Sequence, residues 1–577
     1  MMKKTRSDWL VALQIGMIGG LGAIFMSLVG MVEEFSKRDI IAGVIEMGQT
    51  LILVDLLATG YLASRRVSGG KGVRKTALGA LAGAVTSAML YALVLLIPAL
   101  ELRTVFLNAS PALIKILTFE QAAVAAPLVM LAVGAAIGAV GSGIQQLPAG
   151  LRRAVLMALT WVSMLGLLQD LLRVTLSFIP GANFVVGWMF GARNQKGLSI
   201  LGAVVVFAAI TFINYRWASR GASTSQWLRA RSSSEQRALR WGGLGLAISL
   251  MILLPRVMGP YLSEVTNQVG LFILMGLGLN IVVGFAGLLD LGYVAFWAIG
   301  AYVMGVLTSS AIGPQAGQIV FGPQLSFWIA LPAAVMVSVM AGLILGVPVL
   351  NMRGDYLAIV TLGFGEIIRI LAGSDFLKPY IGGSQGIVEV GVGRIGNFAF
   401  DRPQTLYYMV VVACLLAAFI SWRLRDARMG RAWKAIREDE DVAQAMGIHL
   451  VATKLLAFAT GAAFAGLSGA IFASKIGSIY PHSFKLLVSI NVLALIIVGG
   501  MGSLPGVFVG GLLLVGLPEL LREFSEYRLL LYGALLVVMM LTRPEGFMPE
   551  ATRRREFHEE AAPGAEPDAV SEPVAST

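Results

Sequence analysis

The sequence predicts an all-α, polytopic helical membrane protein with about 16 transmembrane helices, about six N-terminal and about ten in a second group. Three observations predict it. Of 577 residues, 57% are hydrophobic and only 13% charged, against about 25% charged in an ordinary soluble domain. Mean hydropathy is +0.79. Apolar runs of about 20 residues, enough to cross about 30 Å of hydrocarbon as helix, recur along the chain. A membrane β-barrel would alternate over strands of about 10 residues, and these runs are continuous.

The first span is expected at 9–31, after the basic start "MMKKTR". That run is too long for the apolar region of a secretory leader, and no small-x-small cleavage site follows it. Further spans are expected near 40–63, 76–99, 121–144, 154–176 and 198–215. A second group is expected near 241–259, 265–285, 288–308, 326–349, 356–373, 405–422, 453–473, 486–500, 505–520 and 529–542.

The net charge of +11 is concentrated in short segments, 64–75, 215–240, 422–437 and 553–555. Short loops rich in Lys and Arg stay on the cytoplasmic side. Counting spans between them puts every basic loop on one side, with both termini cytoplasmic. The charge is a topology signal whose partner is anionic lipid, and no nucleic-acid partner is expected. The expected organisation is an N-terminal transmembrane module over 1–214, a basic cytoplasmic linker over 215–240, a second module over 241–550 and a disordered cytoplasmic tail over 551–577.

No Walker-type phosphate loop, dinucleotide fingerprint or H-E-x-x-H motif occurs. ATP hydrolysis on this chain, a catalytic metal and a resident cofactor are therefore not expected. Cys414 is the only cysteine, so an intrachain disulfide is excluded. His449, His482 and His558 read as loop histidines.

Charges inside apolar runs cost roughly 2.5–3.5 kcal/mol each near a helix centre, so they face a bundle interior or a polar path. Asp290 lies in such a run without a sequence-local partner, near the cytoplasmic end, where solvent would also satisfy it. Glu366 and Arg369 stand at i and i+3 and can pair on one face. Asp170 and Arg173 repeat that spacing, and Glu46 and Asp55 fall on the expected second span. "GLFILMGLGLNIVVGFAG" (270–287) places several glycines in one helix length. They serve either close helix packing or a local helix break lining a path. "IVVGFAGLL" (281–289) and "IIVGGMGSL" (496–504) share a glycine rhythm.

Between the apolar runs 405–422 and 454–473 stands "GRAWKAIREDEDVAQAMGI" (430–448). Ala435, Ile436, Val442, Ala443 and Met446 recur at helical spacing and would share one face. Glu438, Asp439, Glu440 and Asp441 favour a helix N-terminus, and Gly447 is placed to end the helix. The expectation is one short amphipathic helix lying across the membrane surface. Its acidic run would be repelled by anionic headgroups, so a docked protein is the expected partner.

The second module resembles the M-type permease subunit of bacterial branched-chain amino acid ABC importers. The matching stretches are "LGLNIVVGFAGLLDLGYVAFWAIGAYV" (277–303), "RGDYLAIVTLGFGEIIRI" (353–370), "GGSQGI" (382–387), the 430–448 segment, "IVGGMGSLPGVFVGG" (497–511) and "LLYGALLVVMMLTRPEGF" (530–547). Tyr293 stands where many members have histidine. The resemblance covers about 245–550 and leaves the first 240 or so residues unmatched. It implies a bacterial inner-membrane permease whose partners are a second, H-type permease subunit or a homologous copy, two ATP-binding cassette subunits and an extracytoplasmic solute-binding protein. It also implies that 430–448 is the segment gripped by the ATP-binding subunit, with Ile436, Glu438, Asp439, Glu440, Val442, Ala443, Met446 and Gly447 as its residues. Asn280, Gly284, Asp290, Glu366 and Arg369 are the candidates for the translocation path. The rival reading is a secondary transporter that uses Asp290 or Glu366 to couple to an ion gradient.

Overall fold

The computed structural model describes residues 8–66, 72–122, 124–177, 181–190, 197–229, 233–311, 322–349, 352, 354–520, 528–543 and 545–549. The expected disordered tail over 551–577 lies outside them. The chain divides into two units, Met1–Leu250 and Met251–Thr577.

The N-terminal unit begins with α1 (Asp8–Val29) and the short α2 (Met31–Phe35). A hairpin of β1 (Asp39–Ile41) and β2 (Ile45–Glu46) follows. Then come α3 (Met47–Arg66), α4 (Gly72–Ala99), α5 (Pro111–Leu117), α6 (Ala126–Gln146), α7 (Ala149–Leu167), α8 (Gln169–Ser177), α9 (Asn183–Phe190) and α10 (Ile200–Arg229). Helices α1, α3, α4 and α6 pack on one another through glycine faces. A Cβ on Gly60 would stand 2.6 Å from the Cα of Gly138, and one on Gly83 3.1 Å from that same Cα. Only hydrogen side chains allow that approach, which replaces the missing hydrophobic drive of lipid with dispersion contact.

The helix α11 (Ser233–Leu279), which belongs to the C-terminal unit from Met251 onward, is interrupted at Gly259, whose φ of 72° breaks the helix ahead of Pro260. Its last turns pass into a π-turn over Asn280–Phe285. The remaining elements are α12 (Val294–Thr308), α13 (Phe327–Val349), α14 (Asp355–Gly373), α15 (Lys378–Ile381), β3 (Ile387–Val388), β4 (Arg394–Ile395), β5 (Phe398–Ala399) and α16 (Pro403–Asp426). They continue with α17 (Arg428–Glu438), α18 (Glu440–Ala445), α19 (Leu450–Ile476), β6 (Ser478–Ile479), α20 (Leu486–Gly499), α21 (Leu504–Gly511), α22 (Leu517–Leu520) and α23 (Arg528–Thr542). The core lies where α12 and α13 pack on α19, and it includes Leu274, Tyr293, Phe296, Phe458 and Leu495. The "GGSQGI" stretch turns the chain through Gly382, Gly383 and Gly386, all at positive φ. It delivers Ile387 to pair with Ile479 across β3 and β6.

The architecture is all-helical and polytopic, but the expected 16 spans are not all present as such. Among the described residues, 11 helices are long and apolar enough to cross a membrane, and four shorter apolar helices accompany them. The shorter four cover the expectations at 198–215, 288–308, 505–520 and 529–542. The expected 241–259 and 265–285 fall on either side of the Gly259 kink in α11, the second running on into the π-turn. Two further boundaries are corrected. The run at 40–63 starts as the β1–β2 hairpin, so Glu46 precedes the helix instead of lying on it. The run at 154–176 is divided at Leu168 between α7 and α8. The segment 215–240 is helical through Arg229 and again from Ser233, with 230–232 outside the described residues.

Candidate functional site

The long apolar stretch at 270–303 does not run through as one helix. Leu288 donates to the Val282 carbonyl at 3.0 Å and Ala286 to that of Ile281 at 3.1 Å. The chain then turns at Gly287, with φ of 72°, and helix resumes only at Val294. A left-handed residue ends a helix most cheaply when it is glycine.

The break leaves polar groups that neighbouring elements satisfy. Asn280 is fully buried, and its Oδ1 accepts from the Gly502 N–H at 2.8 Å. Gly502 belongs to a second break, after α20, where Gly500 and Gly502 have φ of 115° and 81°. Asn280, just ahead of the first glycine-patterned stretch, thus binds the second, and a Cβ on Gly284 would stand 2.8 Å from the same Gly502 nitrogen. Ser503 caps α21 there by accepting from the Gly506 N–H at 3.2 Å. In the first break, the Leu291 N–H donates to Thr361 Oγ1 at 3.1 Å and the Val294 N–H to Ser489 Oγ at 2.9 Å. Tyr293 donates to the Gly461 carbonyl at 2.8 Å and so holds the start of α12 against α19.

Asp290 is not solvated, as its position near a span end had allowed; it is fully buried. Its Oδ1 accepts from the Gly292 N–H at 2.9 Å, a partner two residues away. Its Oδ2 has no hydrogen-bond partner. Glu366 and Arg369 pair as their spacing predicts, with Nε–Oε2 at 2.8 Å and Nη2–Oε2 at 2.6 Å, and both are half-buried on α14. In the N-terminal unit, Asp170 meets Arg38 at 3.3 Å, and Arg173 donates to the Phe190 carbonyl at 2.6 Å.

The charged segment 430–448 is two helices where one was expected. It breaks at Asp439, whose backbone is extended and whose Oδ1 accepts from the N–H groups of Asp441 at 2.8 Å and Val442 at 3.0 Å. An aspartate in that role is a favoured N-cap, so the acidic run marks the start of α18 and not of the whole segment. The expected single apolar face divides accordingly. Ile436 and Ala443 are buried against the chain itself, whereas Val442 and Met446 are 59% and 79% exposed. Glu438, Asp439 and Asp441 are exposed around them. Gly447, with φ of 86° and open space about it, ends α18.

Three side chains that sequence reasoning had not singled out anchor this segment. Trp433 is fully buried and donates Nε1–H to the Thr453 carbonyl at 2.8 Å. Lys454, 3% exposed, pairs with Glu440 at 2.7 Å. Arg437 donates from Nη1 to the Gly284 carbonyl at 2.8 Å. His449 is more than a loop residue: its Nδ1 accepts from the Ala452 N–H at 3.2 Å and caps α19.

Comparison with known proteins bears on this arrangement. A family model described as the branched-chain amino acid transport system permease component matches residues 261–540. The high-affinity branched-chain amino acid transport system permease protein LivM of Salmonella typhimurium is 42% identical over 307 residues, covering 50% of this chain and 69% of that protein. The chain belongs to the branched-chain amino acid transport permease family. LivM of Escherichia coli is 39% identical over 324 residues, covering 52% of this chain and 73% of that protein. LivH of Escherichia coli is 26% identical over 308 residues, covering 50% of this chain and 95% of that protein. No solved structure matches the chain. The permease is thus a multi-pass transport component and not an enzyme. Its N-terminal unit lies outside the residues that the family model matches.

Proposed function

We propose that the permease forms one half of a path for branched-chain amino acids across a bacterial inner membrane, with N- and C-termini cytoplasmic. A second permease subunit, of H type or a homologous copy, supplies the other half. Two ATP-binding subunits drive it and a solute-binding protein delivers substrate. On this reading, residues 215–240 are a cytoplasmic linker, residues 241–550 carry transport and residues 1–214 form an accessory membrane module.

The observation that carries the proposal is the α17–α18 segment. Val442 and Met446 project from a polar surface, ringed by Glu438, Asp439 and Asp441, while Trp433, Ile436 and Ala443 bind the segment to the rest of the chain. That division into a free face and an anchored face is what a handle requires. Apolar anchors within a charged rim also give docking both energy and register. In the alternating-access cycle, closure of the ATP-binding subunits displaces the handle and repacks the bundle. Asn280, Gly284 and Asp290 are assigned to the path at the helix break. Glu366 is already neutralised by Arg369, which disfavours it as an ion-coupling carboxylate.

The test is uptake of radiolabelled leucine by cells that express the permease with its partners. Met446→Glu is expected to abolish copurification of the ATP-binding subunit and to stop uptake, with the permease still inserted. Uptake that survives loss of the ATP-binding subunit and stops when the proton or sodium gradient is collapsed would overturn the reading.

A further inference from the structure

The carbonyls of a helix's last turn have no partner within the helix and carry about half a negative charge between them. At the first break of the C-terminal unit, the carbonyls of Ile281 and Val282 are taken by the N–H groups of Ala286 and Leu288. The Gly284 carbonyl receives the guanidinium of Arg437, a residue 153 positions away on α17. The fit is close. A Cβ on Gly287 would stand 2.8 Å from the Cγ of Arg437 and 3.1 Å from its Cβ, so the left-handed glycine lets the arginine stem lie across the break. From the same turn, Asn280 holds the Gly502 N–H of the second break.

We infer that Arg437 is the positioning residue through which α17 moves the broken helix: it is the C-terminal cap of that helix, supplied by the coupling segment. The inference rests on the proposed role of α17–α18. A helix end capped from within its own chain segment would be indifferent to α17. Here the cap is carried on the element that moves, so a shift of α17 either drags the π-turn with it or leaves the Gly284 carbonyl bare. Neither state is neutral, because an unmet carbonyl in an apolar setting costs free energy. The Asn280–Gly502 bond passes the same displacement to the second break. Arg437 touches no substrate in this role. It sets the geometry of the turn that holds Asn280 and Gly284.

The experiment uses the complete transporter in proteoliposomes, measuring ATP hydrolysed per leucine imported. Arg437→Ala is expected to raise that ratio about tenfold, the effect of losing one hydrogen bond from a charged donor. Arg437→Lys, which keeps a cationic donor, is expected to recover most of the coupling, and Arg437→Gln little of it. Gly287→Ala, which crowds the arginine stem, is expected to shift the ratio in the same direction as Arg437→Ala. An Arg437→Ala transporter with the wild-type ratio overturns the inference. Should that variant fail to fold, equal ratios for the Lys and Gln variants overturn it instead. Hydrogen exchange supplies a readout independent of transport: in the isolated permease, Arg437→Ala is expected to accelerate exchange at residues 286–288, and unchanged exchange there also overturns the inference. If the wild-type transporter hydrolyses ATP without importing leucine, the proposed function fails, while the exchange result still judges the cap.

Discussion

In the N-terminal unit, the glycines at the contacts of α1, α3, α4 and α6 sit inside unbroken helices. In the C-terminal unit, Gly287, Gly500 and Gly502 sit where helices stop, each at positive φ. The same residue type therefore does two jobs. Gly60, Gly83, Gly134 and Gly138 remove side chains so that helix backbones touch. Such a contact has one close-packed arrangement and no slack. The C-terminal unit also has packing glycines, such as Gly300 against Gly466, but the glycines at its breaks free backbone groups that find partners on other elements: Gly284 on α17, and Gly502 on the Asn280 side chain. A bundle stitched in that way changes shape when one partner moves. On the proposed function, the first unit serves as a scaffold and the second as a mechanism.

Substitutions sharpen the contrast, beginning with the largest effect. Gly60→Leu forces α3 from the backbone of Gly138 and is expected to destabilise the protein by about 3 kcal/mol, the upper part of the range for overpacking. Thermal unfolding in detergent and the amount of permease in the membrane measure it. A Gly60→Leu protein of wild-type stability would break the comparison. Lys454→Ala removes the cation that Glu440 meets at 2.7 Å in a mostly buried position. Its cost is expected at about 2 kcal/mol, below the full penalty for a broken buried pair because Glu440 keeps 19% exposure. Protease sensitivity of the 428–447 segment is the readout, and it should rise without a matching change in the N-terminal unit.

Asp439→Ala removes the cap of α18 and should cost about 1 kcal/mol, seen as faster amide exchange at Asp441 and Val442. Val442→Ser is the smallest in stability, within about 0.5 kcal/mol as for most exposed positions. It should nevertheless weaken binding of the ATP-binding subunit, measured by copurification. Equal weakening from Gly60→Leu would erase the distinction between scaffold and mechanism.

The parts visible in the sequence were those carried by local spacing. Glu366 and Arg369 pair because i and i+3 share a helix face, and no tertiary knowledge is needed to see it. The break near 284–287 was foreshadowed by its glycines. Asp439 shows how a correct signal can be assigned to the wrong helix: acidic residues at a helix start were recognised, but a second start inside the segment, at Glu440, was not. Extended backbone at Asp439 splits the apolar face, and with it the expectation that Val442 and Ala443 face the same way. Asp290 looked isolated because its partner is a backbone N–H, which has no letter of its own. Arg437 was invisible for the same reason, since it meets a carbonyl 153 residues away. The β1–β2 hairpin was missed because "IIAGVI" is as apolar as the helices around it.

The loop after α23 carries a practical corollary. Phe547 and Met548 donate to the carbonyls of Val498 and Gly499, each at 2.9 Å, and Gly546 lies so close to Gly500 that a Cβ there would stand 2.6 Å from its backbone nitrogen. Residues 545–549 thus behave as a clasp on the second break and not as the beginning of a tail. Fluorescent fusions and affinity tags belong beyond residue 549, and a deletion that cuts upstream of Gly546 should be read as damage to the mechanism, not as removal of an appendage.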